Sequence, residues 1–236
     1  MPILNDLSKD TVIFISGTPC TGKTTVASEL NDFLSDNGFN SKLVKINDFA
    51  FENNLVLGED PDKFYKVIDI DRLNECLSSE INNFLEKNSN QNNNQNNNQN
   101  NNQNNNQNNN QNINQNYNQN NKNNNQNKIA ILIVEGHLSH LCEGADKMIV
   151  LRLNPAILKG RLEERNYAES KIQENLEAEA LAVCSAEAYE IYGEETNEID
   201  VSDKSIEEIR DMIIDIACNN LNCPIGAIDF MGWFLN

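Results

Sequence analysis

The sequence contains no apolar run that approaches the roughly 18 residues of a membrane-spanning helix. Its opening, MPILNDLSKD, lacks a charged segment leading into an apolar one, so no secretory signal is predicted. Basic residues are also scarce, with 18 Lys and Arg against 36 Asp and Glu. We therefore expect a soluble, cytoplasmic protein that does not bind membranes or grip nucleic acid tightly, because tight binding requires phosphates to be neutralised. The acidic balance favours a basic protein partner.

The six cysteines include no C-x-x-C pair and no dense framework of the kind that staples small secreted domains. We therefore predict free thiols rather than disulfides or a zinc site. The cysteines are Cys20, Cys76, Cys142, Cys184, Cys218 and Cys223.

Residues 88–128 are almost wholly Asn and Gln. Such a tract has too few apolar side chains to offset the conformational entropy lost on folding, so we predict a disordered insertion. Residues 1–87 and 129–236 then form one domain, which tolerates the roughly 2 kcal/mol that closing a longer loop costs. The tract enters before a strand, away from the carboxyl edge where ligands of open α/β sheets bind. It is either an inert expansion or a segment for partner recruitment.

The stretch GTPCTGKTT matches the phosphate-binding loop pattern G-x-x-x-x-G-K-[ST]. A β-branched run, TVIFIS, precedes it, and apolar residues at helical spacing follow it, so strand, loop and helix come in the required order. Gly17 and Gly22 allow backbone N–H groups to curl around phosphate oxygens. Lys23 is predicted to reach the β- and γ-phosphates, and the Thr24 hydroxyl to ligate Mg²⁺. The loop therefore predicts nucleoside triphosphate binding.

Residues 129–134, IAILIV, form a continuous apolar run typical of a parallel strand covered on both faces. Glu135 follows directly, where an acid beside a phosphate loop can hold Mg²⁺ or position a water; a solvated strand-end charge is the alternative. His137 either orients that water or is structural. We interpret His140 as structural.

A further strand is predicted over residues 147–153, and Asn154 with Pro155 begins the helix after it. Arg161 and Arg165 lie one turn apart on that helix. A kinase needs such cations on a closing lid, although surface ion pairs with neighbouring acids are equally compatible with the spacing.

Two helices and a strand complete the prediction. A long helix over residues 170–192 has an acidic outer face, which is either solvated or a docking surface. A strand near residues 198–201 leads to Ser205 and Glu208, which form a capping-box pattern at the start of the last helix.

Residues 48–67 have no clear period and predict an irregular arm with a short helix for a second substrate.

The order of these elements resembles the nucleoside monophosphate kinase architecture, an α/β P-loop NTPase fold with a five-stranded parallel sheet. Five segments together resemble the adenylate kinase isoenzyme 6 family, more closely its archaeal branch than its eukaryotic one. The resemblance covers nearly everything outside the Asn/Gln tract. The segments are GTPCTGKTTVA, IDIDR, VEGHLSHLC, RLEERNYAESKIQEN and EIDVSDKS.

This resemblance implies phosphorylation of nucleoside monophosphates such as AMP by ATP and Mg²⁺, together with a slower ATPase activity. It also implies a role in late maturation of the small ribosomal subunit, including rRNA processing, through a basic platform protein of that subunit. One alternative is a ribosome-assembly ATPase with incidental kinase activity. A kinase for a non-nucleotide metabolite is a third possibility, with no specific residue in its favour.

By position, the resemblance assigns residues 45–68 to the monophosphate-binding arm and residues 164–174 to the lid. The residues predicted to contact ATP are Gly17, Cys20, Thr21, Gly22, Lys23, Thr24, Thr25, Arg165 and Lys204. The predicted catalytic residues are Lys23, Glu135, His137, Arg161 and Arg165, and the predicted Mg²⁺ ligands are Thr24 and Glu135.

The acceptor side departs from the family pattern. Phe51 stands where eukaryotic relatives have an arginine, so Arg72 is predicted to take the acceptor phosphate, with Asp48 as a second acceptor contact. Asn166 replaces a usual lid glycine, which predicts a stiffer lid. Cys20 is either a redox-sensitive thiol or a small residue that fills the turn.

Overall fold

The computed structural model describes residues 4–59, 66–106 and 128–235. The strands in this part of the chain are β1 Thr11–Ser16, β2 Asn40–Lys45, β3 Val56–Glu59, β4 Lys66–Ile68, β5 Ala130–Glu135, β6 Lys147–Arg152 and β7 Thr196–Asp200. The α-helices are α1 Lys23–Asp36, α2 Ile46–Glu52, α3 Ile70–Asn106, α4 Pro155–Glu164, α5 Glu169–Ala180, α6 Val183–Tyr192 and α7 Ile206–Ala217. None of the helices in these ranges is long and apolar enough to cross a membrane. All six cysteines are free thiols.

Five strands form one parallel sheet in the order β2-β5-β1-β6-β7, which confirms the predicted fold class. The carboxyl ends of β1 and β5 are adjacent, because the register pairs Ile15 with Glu135. This edge is where ligands of open α/β sheets bind. The fold therefore brings the phosphate loop and Glu135 together.

The core consists of two apolar layers, one on each face of the sheet. Successive side chains of β1 point to opposite faces. Ile13 and Ile15 pack in the layer beneath α1 and α7, while Val12 and Phe14 pack in the layer beneath α3 and α6. Burial on both faces explains why the three central strands, β5, β1 and β6, consist mostly of apolar residues.

The predicted arm, residues 45–68, contains more regular structure than its sequence indicates. The short helix is α2, and an antiparallel hairpin of β3 and β4 follows it. Residues 60–65 lie outside the described ranges. A register shift at Gly58 interrupts the alternation of side chains, which explains why no strand period is visible in the sequence.

The prediction of a single long helix over residues 170–192 is wrong, because the chain forms two helices there, α5 and α6. The break lies at Ala182, whose φ of 55° is left-handed. The left-handed conformation costs an alanine about 1–2 kcal/mol, so an alanine in the sequence does not predict a break at this position. The turn allows α6 to pack against the short 3₁₀ segment Ser139–Leu141.

Helix α3 continues into the Asn/Gln tract as far as Asn106, whereas disorder is predicted from Asn88 onward. The Asn88 side chain is 2% exposed and belongs to the domain. It donates to the backbone O of Lys128 at 2.9 Å and to Asp10, and its Oδ1 accepts from Asn40 at 2.9 Å. These bonds hold Asn88, the first residue of the predicted insertion, against the domain. Residues 107–127 lie outside the described ranges, and their disorder stays a prediction.

Two predicted helix starts are confirmed. The Asn154 side chain accepts from the Ala156 N–H at 2.9 Å, with Pro155 in the first turn of α4. Ser205 and Glu208 form a complete capping box at the start of α7.

Candidate active site

The phosphate loop lies between β1 and α1, against the end of β6. Gly17 has φ 136°, and an added Cβ would lie 2.4 Å from the backbone O of Leu151. Gly22 has φ 104° and caps the N-terminus of α1. Both positions therefore require glycine, and at Gly17 the close approach to β6 adds a reason that the sequence alone does not show.

Lys23 begins α1 and is 8% exposed. Its Nζ donates to the backbone O of Gly17 and of Thr18, both at 2.8 Å. Burial lowers the pKa of Lys23 to about 8, because desolvation disfavours the ammonium more than nearby acidic groups favour it. The side chain thus remains mostly charged at neutral pH and lies within the loop.

Thr24 and Glu135 are in contact. The Thr24 hydroxyl lies 3.2 and 3.3 Å from the two carboxylate oxygens of Glu135, which is 5% exposed. Burial raises the pKa of Glu135, although the Thr24 hydrogen bond and the charge of Lys23 oppose this shift. The carboxylate of Glu135 therefore lies beside the phosphate loop, as the sequence predicts.

These two side chains fit a Mg²⁺ ion, which prefers hard oxygen ligands and is usually held by one or two protein oxygens plus phosphates and water. The described residues contain no cluster of three or more His, Cys, Asp or Glu that could hold a metal by itself. A magnesium site here would consequently depend on the nucleotide.

The two histidines occupy different environments. His137 is exposed, and its Nδ1 lies 3.2 Å from the Gly17 O, next to the loop. Partial desolvation and the charge of Lys23 lower the pKa of His137, which favours the neutral ring. His140 is 1% exposed, with Nδ1 2.7 Å from Ser16 Oγ and Nε2 2.8 Å from Glu187. It joins the end of β1 to α6, in agreement with the predicted structural role.

Arg161 is the predicted lid cation that the structure brings to the loop. Its Nη1 donates to the backbone O of Cys20 at 3.3 Å. Arg165 is exposed at the C-terminal end of α4. Cys20 has φ 69° and is half-buried, and Thr21 is buried with its hydroxyl donating to the Thr18 O at 3.0 Å.

The remaining predicted contacts are exposed side chains. Thr25 is exposed on α1, and Lys204 is exposed in the turn before α7. Arg72 is exposed in the first turn of α3, where its N–H donates to Asp69 at 3.1 Å. Asp48, in the first turn of α2, is close enough to Glu135 to raise its pKa. The structure thus assembles the ATP side more completely than the acceptor side.

A buried ionic network beside the loop was missed by the sequence reasoning. Arg152, 1% exposed, donates from Nε to Glu179 Oε1 at 2.8 Å and from Nη1 to Glu198. Burial alone would lower the pKa of Arg152, but the two carboxylates outweigh it and raise the pKa. The sequence signal that could have indicated this network is the arginine inside the otherwise apolar run MIVLRL, because a buried arginine requires acidic partners. Glu179 is 1% exposed, so it does not belong to the acidic outer face predicted for residues 170–192, and Glu198 is 3% exposed.

Comparisons with known proteins identify the family of this chain. Residues 13–182 match the family model described as an AAA domain. A protein of Methanothermobacter thermautotrophicus named "Putative adenylate kinase" is 54% identical over 103 residues, which are 44% of this chain and 60% of that protein. One of the same name from Methanococcus maripaludis is 31% identical over 204 residues, 86% of each chain.

A solved structure of thymidylate kinase from Candida albicans aligns with 90% of this chain and 92% of its own, at 14% identity and a TM-score of 0.41. The family model covers more than half of the chain, and the Methanococcus maripaludis protein matches most of both sequences. The chain therefore belongs to the AAA-domain family and to the family of proteins named "Putative adenylate kinase".

Proposed function

We propose that this protein is a nucleoside monophosphate kinase, located in the cytoplasm, that transfers the γ-phosphate of ATP to AMP-like acceptors. The observation that carries the proposal is the contact between Thr24 and Glu135 at 3.2 Å, beside the buried ammonium of Lys23. This arrangement joins a phosphate-binding cation to a pair of hard oxygen ligands at one sheet edge. The names of the archaeal relatives support the same activity.

In the proposed mechanism, the loop amides and Lys23 bind the β- and γ-phosphates. Thr24 and Glu135 would hold Mg²⁺, which when bound neutralises part of the phosphate charge. Arg161 already lies at the loop, and Arg165 would approach as the lid closes and excludes water. A phosphate oxygen of the acceptor then attacks the γ-phosphorus in line, the bond to the bridging oxygen breaks, and ADP leaves.

The arm is proposed to bind the acceptor through Asp48, together with Arg72 in the first turn of α3. Phe51, which stands where eukaryotic relatives have an arginine, is 45% exposed. The Nζ of Lys66 lies 4.1 Å from the centroid of its ring. The hairpin thus places a cation beside the position that lacks one, which supports an anionic acceptor.

The test is ATP turnover by the full chain with and without AMP, CMP or dAMP. We expect ATP consumption to rise strongly with at least one acceptor, and the diphosphate of that acceptor to form in an amount equal to the ATP consumed, so that AMP yields two ADP per ATP. Turnover that no monophosphate accelerates would contradict the proposed kinase activity.

A second candidate function is an ATPase that acts in late maturation of the small ribosomal subunit through a basic protein of that subunit. The observations in its favour are the formal net charge of −18 and the position of His137 at the loop. Here Glu135 and His137 would orient the attacking water. The double variant Glu135→Gln/His137→Ala is expected to lose about a hundredfold or more in hydrolysis rate. Unchanged hydrolysis in the double variant would contradict the assignment of Glu135 and His137 as the residues that orient the water, and hydrolysis that a basic small-subunit protein does not alter would contradict the proposed partner.

Nucleotide affinity is expected to fall as the pH rises above about 8. Burial lowers the pKa of Lys23 to about 8, so above that pH the empty site holds a neutral amine. Phosphates bind the ammonium better, so binding then requires proton uptake, and affinity should fall by up to about tenfold per pH unit. Calorimetric titration with ADP at pH 7, 8 and 9, in buffers of different ionisation heat, measures both quantities. A constant affinity without proton uptake would contradict the prediction.

A further inference from the structure

Thr18 is the residue on which the contacts inside the phosphate loop converge. Its backbone O accepts from Lys23 Nζ at 2.8 Å and from the Thr21 hydroxyl at 3.0 Å. The Thr21 N–H also lies 3.3 Å from this oxygen. Thr18 therefore supplies one of the two backbone oxygens that hold the Lys23 ammonium, and Gly17 supplies the other.

The Thr18 side chain points out of the loop, towards α5. Its hydroxyl donates to Glu179 Oε2 at 2.5 Å, and Thr18 is 1% exposed. A hydrogen bond to a buried carboxylate is among the stronger protein hydrogen bonds. Glu179 therefore fixes the side-chain rotamer of Thr18, a residue of the phosphate loop.

Glu179 is held firmly enough to act as an anchor. Its Oε1 accepts from Arg152 Nε at 2.8 Å and from the Leu153 N–H at 3.0 Å, while Arg152 Nη2 donates to its backbone O at 2.7 Å. The two carboxylate oxygens thus have separate partners. One is bound to the end of β6, and the other is directed at the loop.

Glu179 also connects the loop to the lid. It lies one residue before the end of α5, and the predicted lid, residues 164–174, runs into the first half of this helix. We propose that Glu179 is a positioning residue, which holds the phosphate loop in its nucleotide-binding conformation through Thr18 and ties it to the lid helix α5. The inference rests on the proposed function only in that the loop binds a nucleotide.

Thr18→Val tests this role, because it removes the hydroxyl with little change of shape and leaves the bonds between Arg152 and Glu179 in place. We expect the Kd for Mg–ADP and the KM for ATP to rise about tenfold to a hundredfold, since the loop then spends less time in the competent conformation. The value of kcat should change less than KM. Thr18→Ser keeps the hydroxyl and should restore both constants to within a few fold of wild type.

Thr196→Val is the matched control. Thr196 is 1% exposed on β7, and its Oγ1 has no hydrogen-bond partner among the described residues. The same chemical change should leave Kd and KM unaltered at this site. Equal weakening by Thr18→Val and Thr196→Val would indicate a general packing effect and overturn the proposal.

Unchanged nucleotide affinity in Thr18→Val would overturn it as well. If the valine variant does not fold, Thr18→Ala and Thr18→Ser give the same comparison. Mg–ADP binding is measured independently of catalysis. If the wild-type chain binds Mg–ADP but phosphorylates no acceptor, the proposed kinase activity is refuted. The Kd for Mg–ADP of the Thr18 variants then still tests the positioning role of Glu179.

Discussion

Replacing Lys23 by methionine is expected to lower kcat for acceptor phosphorylation about a hundredfold to a thousandfold, without unfolding the protein. The ammonium is the cation that the loop buries next to its own carbonyl groups. Charge that develops on the transferring phosphoryl oxygens would lose this fixed partner, and one such donor accounts for losses of about this size. Coupled measurement of ADP release with saturating acceptor gives kcat and KM.

Stability should not fall in Lys23→Met. Burial lowers the pKa of Lys23 to about 8, so at neutral pH the folded protein holds a charge at a cost of about 3 kcal/mol. The unfolded chain binds the proton more tightly. Wild-type stability therefore rises as the pH increases from about 8 towards the unfolded pKa, and methionine should remove that rise. The free energy of unfolding at pH 7 and pH 10 measures the difference.

The matched control for this variant is Lys42→Met. Lys42 lies on β2, is 43% exposed at its side chain and pairs with Glu80. It should leave kcat within about twofold of wild type, because exposed ion pairs contribute little. Comparable losses of kcat in the two lysine variants would contradict the assignment of Lys23.

The phosphate loop and the sheet could be predicted because their signals are local. Glycine spacing fixes the loop, and uninterrupted apolar runs such as residues 129–134 mark strands covered on both faces. The proximity of Thr24 and Glu135 also followed from topology. Adjacent parallel strands end at the same edge of a sheet, so a carboxylate directly after one strand meets the loop after its neighbour.

The buried network could not be predicted in the same way, because its members are far apart in sequence. Glu179 lies 161 residues from Thr18, and Glu198 lies 46 residues from Arg152. In the sequence each acid resembles its solvated neighbours, and only the fold distinguishes them. The break at Ala182 has the same origin, since packing of α6 overrides a local preference that would continue α5.

Arg152→Met is expected to produce the largest loss of stability of any single substitution considered for this protein, about 3–5 kcal/mol in the free energy of unfolding. The change leaves Glu179 and Glu198, which are 1% and 3% exposed, without their shared cation. Uncompensated charges in an interior are much more costly than the loss of an exposed pair. Denaturant titration at pH 7 measures the loss.

Arg210→Met is the matched control, because it shows how much stability is lost when an arginine with more exposed partners is replaced. Arg210 contacts Glu29 at 2.7 Å and Asp211 at 2.8 Å, and those two acids are 39% and 30% exposed at their side chains. Water can solvate both after the substitution, so we expect a loss of about 1 kcal/mol.

The double variant Arg152→Met/Glu198→Gln should regain part of the stability lost in Arg152→Met, because one buried charge is removed with the cation. Equal losses at Arg152 and Arg210, or no recovery in the double variant, would show that the buried carboxylates are compensated by other groups.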